Sequence, residues 1–155
     1  MLFTQWDQTP QNWRAAYRWM VSQWINRIGP PFDHALVWCW HSCNGKKHSP
    51  PTVGTASLLM GDWNYYASST VLVELDAPKE HCLLSSYKRW NDALCYFLEH
   101  RKETISVGLF DDMFDDPLMK HPGDDIQAVL PYIMRDWIID IRNLPESDEK
   151  WESVI

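Results

Sequence analysis

The sequence predicts an α+β fold, with a small split sheet of mixed or antiparallel strands and two main helices packed on it. Three observations predict it. Apolar residues recur at Trp13, Tyr17, Met20, Trp24 and Ile28, the spacing of one helical face, while Arg14, Arg18, Ser22 and Asn26 fall opposite. Tyr87, Trp90, Leu94 and Phe97 with Leu98 repeat that spacing in a second helix. Around these lie short β-branched or aromatic runs bounded by turn residues, which read as strands. The order strand–helix–strands–helix–strands, without internal repeats, is that of an α+β domain.

Taken in order, Leu2 to Trp6 reads as a short first strand. Thr9 is placed to cap the first helix with Pro10 at its first position, and Gly29, Pro30 and Pro31 stop it. Ala35 to Trp40 alternates Leu36, Trp38 and Trp40 on one side with Val37 and Cys39 on the other. A strand apolar on both sides needs cover on both, so its expected place is central, with the first helix across it. His41 to Pro51 reads as a polar loop. Thr55 to Met60 fits either a brief strand or a helical turn. Gly61 to Ser69 is a loop carrying Trp63, Tyr65 and Tyr66.

Thr70 to Asp76 is the clearest strand, ended by Pro78. Leu83 and Leu84 continue an adjacent one, and Ser85 or Ser86 caps the helix Tyr87 to His100. Lys102 to Asp125 reads as an acidic loop. For Ile126 to Leu144 a helical face competes with strand–turn–strand. Pro131 decides for the latter, because inside a helix it costs about 3 kcal/mol. The expected elements are strand Ile126 to Leu130, a turn around Met134 to Trp137, and strand Ile138 to Arg142. Residues 1–144 form one domain on this reading, and 145–155 an acidic tail.

Composition narrows the function classes. With 155 residues, 45% hydrophobic and 23% charged, the chain can bury a genuine core. The net charge of −7 opposes an extended grip on nucleic acid, which depends on neutralising phosphates, but leaves room for local contact. No apolar run approaches the ~18 residues of a membrane span. The first residues lack the basic and apolar regions of a signal peptide, and four Cys without regular spacing suit free thiols, so a cytoplasmic location is expected.

Three constellations could carry chemistry. Cys39, His41, Cys43 and His48, with His81 and Cys82, lack a second matched pair, and Cys39 lies in an apolar strand. The acidic pairs at 111–112, 115–116 and 124–125 lack the alternate spacing of a calcium loop. No metal is therefore expected. The third set is polar: Thr4 and Gln5 on the first strand, His41 after the central one, Tyr65 and Tyr66 in the aromatic loop, and Gln127 on the late strand. A Gln on an otherwise apolar strand needs a hydrogen-bond partner if buried.

The segments LFTQW, AYRWMVSQWINRIG, ALVWCW, TVLVELDAPKEHCLLSSYKRWNDAL and IQAVL resemble, in this order, an uncharacterised bacterial family, domain of unknown function 3841. The likeness covers most of residues 1–144. Two departures are a shorter stretch before the Tyr17 helix and HSCNGKKHSPP in place of an Arg-Pro-Asp-type motif. The early strand, the VLVELD strand and the late IQAVLPYIMRDWIIDI segment are also similar to ADP-ribosyltransferase-like domains. That resemblance implies NAD as substrate, with Gln127 at the position of a catalytic Glu that bonds a ribose hydroxyl. It further implies Thr4 and Gln5 on the early strand and Tyr65 or Tyr66 as the stacking aromatic; His41, from the polar set, is the second catalytic candidate beside Gln127. A Gln cannot supply the negative charge of a Glu, and electrostatic stabilisation is usually the largest catalytic contribution, so either Asp124 or Asp125 substitutes for it or the site binds without turning over.

The expectation is an ADP-ribosyltransferase-like enzyme that modifies a macromolecule, nucleic acid or protein, in the manner of a toxin or phage–host conflict protein. The competing expectation is a non-enzymatic module binding a protein partner through an acidic, Trp-rich surface. The first requires Thr4, Tyr65 and Gln127 to converge; the second requires several exposed Trp side chains in one patch.

Overall fold

The computed structural model describes residues 1–43, 46–47, 70–100, 108–120 and 123–143. Its two main helices are α1 (Arg14–Arg27) and α2 (Tyr87–His100). The main sheet is antiparallel and contains β1 (Val37–Cys43), β2 (Lys46–Lys47), β4 (Leu83–Ser86) and β5 (Ile126–Leu130), in the order β2–β1–β5–β4. A separate antiparallel ribbon pairs β3 (Val71–Leu75) with β6 (Ile138–Asn143). The α+β class and the split into two sheets thus agree with the sequence pattern.

Helix α1 starts later than the Thr9 cap implies. Pro10 opens a 3-10 turn, Gln11–Trp13, which runs into the helix at Arg14. Thr9 instead ends a preceding 3-10 turn, Trp6–Gln8, and its carbonyl accepts the Arg14 side chain at 3.1 Å. The apolar face buries Ala16, Met20, Val21 and Trp24. After Ile28, Gly29 is required by close approach, because a Cβ there would meet the Trp24 ring at 3.0 Å. Ser86 caps α2: its Oγ accepts the Arg89 backbone N–H at 3.2 Å. Trp90, Ala93 and Phe97 are the buried residues of α2. Tyr17 meets Trp90 edge-on at 5.6 Å, and Trp19 meets Phe97 at 6.2 Å, which joins the two helices over the sheet.

The expected first strand, Leu2 to Trp6, is reduced to two isolated bridges, Leu2 with Ile133 and Thr4 with Ala35. The Trp-rich strand extends beyond Trp40 to Cys43 through a bulge at His41, correcting the loop expected from His41 onward. Its partner strand, not its own side chains, carries it there. As expected, β1 lies inside the sheet, paired with β5 on one side and, among the described residues, with the two-residue β2 on the other; β5 is the second interior strand and is buried along its whole length. Residues 126–143 follow the strand–turn–strand pattern, with a 3-10 turn at Arg135–Trp137. Pro131 sits just past β5, where its missing N–H breaks no strand pairing.

The acidic stretch expected to be loop holds short helical pieces, a 3-10 turn at Asp111–Phe114 and α3 (Pro117–Lys120), lying beside β4. Phe110 and Met113 are buried in the core, while Asp111 pairs with Arg27 at 3.2 Å and Asp112 with Arg89 at 2.9 Å. These pieces cover the open side of β4, an otherwise exposed sheet edge. The expectations for Thr55 to Met60, for the Gly61 to Ser69 loop and for the tail 145–155 lie outside the described residues. Among the described residues no helix is long and apolar enough to cross a membrane.

Candidate functional site

Strand pairing assembles the site. On the face covered by the helices, Trp40, Gln127 and Ser85 stand side by side in one row across β1, β5 and β4. The next row on that face is Trp38, Val129 and Leu83, which packs into the core. On the other side of the Gln127 row, Tyr87 N–H donates to the Asp125 carbonyl at 2.9 Å. That bond extends the β4–β5 ladder by one position and sets Asp125 opposite Tyr87, two residues from Gln127 and on the same face.

The side chains of this row are unusual for a core. Gln127 is 7% exposed and Ser85 0%, and neither Gln127 Oε1 nor Ser85 Oγ has a hydrogen-bond partner. Trp38 Nε1, one row away, is also unpartnered, although its ring is held between Tyr17 and Trp90 at 5.1 and 4.7 Å. A buried polar group without a partner costs about 1–3 kcal/mol, so three in adjacent rows call for a reason. Above the row, the Trp40 and Tyr87 rings meet edge to face at 5.0 Å. They are rooted on opposite sides of β5, so the pair bridges it next to Gln127.

The two neighbouring acids have different surroundings. Asp124 accepts a hydrogen bond from the Ser86 hydroxyl and so belongs to the α2 cap. The helix N-terminus, a ready site for an anionic group, is thereby already filled. Asp125 lies on the Gln127 side, and its charge, after burial, helps push the Cys43 thiol up to about 12. Cys39 is also pushed up to about 12, by burial first and by Cys82 second. Such thiols are poor nucleophiles and poor metal ligands at neutral pH. Among the described residues no cluster of three metal-binding side chains occurs.

Of the residues singled out in the sequence, His41 lies nearest to Gln127 in the strand register, one residue after its partner Trp40. His41 is the bulged residue next to Trp40, directly beyond the Gln127 row, and bulges of this kind re-aim side chains. Thr4 and Gln5 do not join them. Thr4 bridges Ala35, five residues from Trp40 along the chain, or about 16 Å at roughly 3.3 Å per residue. Gln5 is exposed, and its N–H donates to Gln8 Oε1 at 3.1 Å in the first turn. Tyr65 and Tyr66 lie outside the described residues. Ser85, Trp40 and Tyr87 were legible only as a cap candidate and two core aromatics. Nothing in their spacing places them beside Gln127.

With this geometry in place, comparison with known families is informative. The family model described as Domain of unknown function (DUF3841) matches residues 3–106. The chain belongs to this family. The match takes in Trp40, His41, Ser85 and Tyr87, whereas Asp125 and Gln127 lie beyond it, so the family likeness ends short of the IQAVL segment. The family description states no activity. No curated protein and no solved structure matches the chain.

Proposed function

We propose that this domain is an ADP-ribosyltransferase-like enzyme that uses NAD as a substrate to modify a macromolecule, nucleic acid or protein. One observation carries the reading: Gln127 sits at the start of the strand buried along its whole length, with an acceptor oxygen that has no hydrogen-bond partner among the described residues. A hydroxyl or amide N–H of NAD supplies the donor that this oxygen lacks. Trp40 and Tyr87 offer the planar surfaces for a ring, in the role that resemblance alone would have given to Tyr65 or Tyr66. Asp125, on the Gln127 side, is the acid positioned to offer the charge a Gln lacks; Asp124 is committed to the helix cap. The fit is limited to the ring-and-ribose end. The helix N-terminus beside the row is occupied by Ser86 and Asp124, and Arg89 is engaged by Asp92 and Asp112, so neither is assigned to the diphosphate. The two-sheet α+β architecture is compatible with the reading, as an analogy of fold.

The second reading, a protein-binding module, is favoured by one surface. Val71, Val73, Ile139 and Ile141 on the β3–β6 ribbon are 38–62% exposed. Among the described residues, however, no Trp falls in the exposed class, so the Trp patch that reading requires is not formed there.

The test is nicotinamide release from NAD by the purified protein, with and without cell lysate, beside Gln127→Ala. Release that depends on lysate and disappears in the variant supports a transferase. Absence of both release and NAD binding ends the enzymatic reading, and capture of a protein partner that is lost when Ile139 and Ile141 are made polar supports the module.

A further inference from the structure

We propose that Ser85 is a ligand-binding residue acting jointly with Gln127, and that the Trp40–Tyr87 ring pair is the gate through which the ligand reaches both. The inference rests on the NAD reading for the identity of the ligand, but on the strand register for its geometry. Ser85 and Gln127 are direct partners on β4 and β5, and the Tyr87–Asp125 bond makes theirs a hydrogen-bonded pair position, with Cα atoms about 5.5 Å apart. Their side chains therefore emerge together on one face. Yet neither end of the Gln127 amide bonds the Ser85 hydroxyl, since Ser85 Oγ has no partner at all.

Two polar groups that stand together without bonding each other suit a third group that bonds both. Gln127 Oε1 can only accept, whereas the Ser85 hydroxyl can donate or accept, and the nearby Trp38 Nε1 can only donate. The complementary ligand group is therefore uncharged and carries a donor and an acceptor side by side. A primary carboxamide on a planar ring and a pair of ribose hydroxyls both have this chemistry, and NAD contains each. An ionised group is disfavoured, because neither Ser85 nor Gln127 supplies a compensating charge and burial penalises the charged form.

The gate follows from the burial. Ser85 is fully enclosed, and the rings bridging β5 beside it belong to Trp40 and Tyr87. Both rings are only partly buried, and Tyr87 is the first residue of α2, where rotation of its side chain breaks no backbone bond. Parting of the two rings opens the row, and a planar ligand ring takes their place against each other.

The experiment is a binding titration, by calorimetry or by NMR, of NAD, nicotinamide and ADP-ribose against wild type, Ser85→Ala, Gln127→Met and the double variant. Thermal melting of each protein without ligand accompanies it. Ser85→Ala is expected to weaken NAD binding roughly three- to tenfold, the worth of one hydrogen bond. The double variant is expected to lose less than the product of the two single losses, because both side chains grip one group. Dependence on Ser85 for nicotinamide but not ADP-ribose identifies the carboxamide as that group, and the reverse identifies the ribose. If wild type binds NAD and Ser85→Ala binds it equally well, the role of Ser85 is refuted while the NAD reading stands. If wild type binds none of the three probes, the NAD reading falls and this inference falls with it. A Ser85→Ala protein that melts well below wild type would also overturn it, since Ser85 would then have an internal partner.

Discussion

Ser85→Ala and Gln127→Met should leave this protein more stable than the wild type, which is the reverse of what most core substitutions do. The reasoning starts from the two orphaned atoms. Each buried, unpaired polar group costs about 1–3 kcal/mol relative to its hydrated state in the unfolded chain. Ser85→Ala removes the hydroxyl and leaves a void the size of one oxygen, whose cost is below about 1 kcal/mol. The net gain is about 1 kcal/mol. Gln127→Met preserves the unbranched shape and nearly the volume while removing the acceptor. It also removes the amide N–H groups, so its gain is smaller, about 0–1 kcal/mol. For a chain of this size 1 kcal/mol moves the melting temperature by about 2–4 °C. Urea denaturation at neutral pH, with melting curves as a second measure, gives the comparison. A loss of more than about 1 kcal/mol in Ser85→Ala would show that the hydroxyl is satisfied inside the fold, and the argument for a binding row would fail. A gain in stability joined to a loss of ligand binding is the signature of a site kept at the expense of stability.

Further outcomes follow from the charge and thiol environments. Cys39 and Cys43, both pushed up to about 12 from about 9, keep their protons in the folded protein after unfolded thiols have lost theirs. Their contribution to stability is therefore whole below about pH 9 and is lost as the pH rises from there towards 12. Tyr17, raised by burial and then by Tyr87, acts in the same direction. Urea midpoints under reducing conditions should fall between pH 9 and 11, and less steeply in Cys39→Ala. At pH 8 a thiol reagent should modify the exposed Cys95 first, the half-buried Cys39 and Cys82 more slowly, and the buried Cys43 only as fast as the protein opens; rapid titration of all four would contradict this order. Arg89→Ala should cost about 1–2 kcal/mol, because it releases Asp112 and Asp92 and uncovers the Phe110 ring at 5.1 Å, all partly exposed contacts. The loss should shrink at high salt, because these contacts are partly exposed.

Local pattern carried much of the fold into view. Both helices bury most of their expected faces, although Leu98, expected on the α2 face, is 37% exposed; the two late strands and the turn between them lie where Pro131 favoured, and Ser86 caps α2. What went astray depends on partners rather than on local sequence. His41, Ser42 and Cys43 have little intrinsic strand preference, and they extend β1 because Lys46–Lys47 and Ile126 pair with that end of the strand. The run Ala35 to Trp40 does lie inside the sheet as its two apolar faces require, but its pattern does not say which strands flank it, and β5 and β2 are set there by pairing alone.

The candidate site was hidden for the same reason. Gln127 could be recognised as a polar residue on an apolar strand, but its neighbours Ser85 and Trp40 come from about 40 and 90 residues away, and only the register puts them in its row. Register also separates the two acids that sequence left equivalent. Asp124 lies in the bend before β5, whereas the carbonyl of Asp125 already accepts the Tyr87 N–H in line with the β4–β5 ladder. Asp124 accepts from the Ser86 hydroxyl and becomes part of a helix cap. Asp125 becomes the acid in register with an unpaired amide. The Tyr87–Asp125 bond, set by the start of α2, is the contact that holds the Asp125 backbone in register with the Gln127 row.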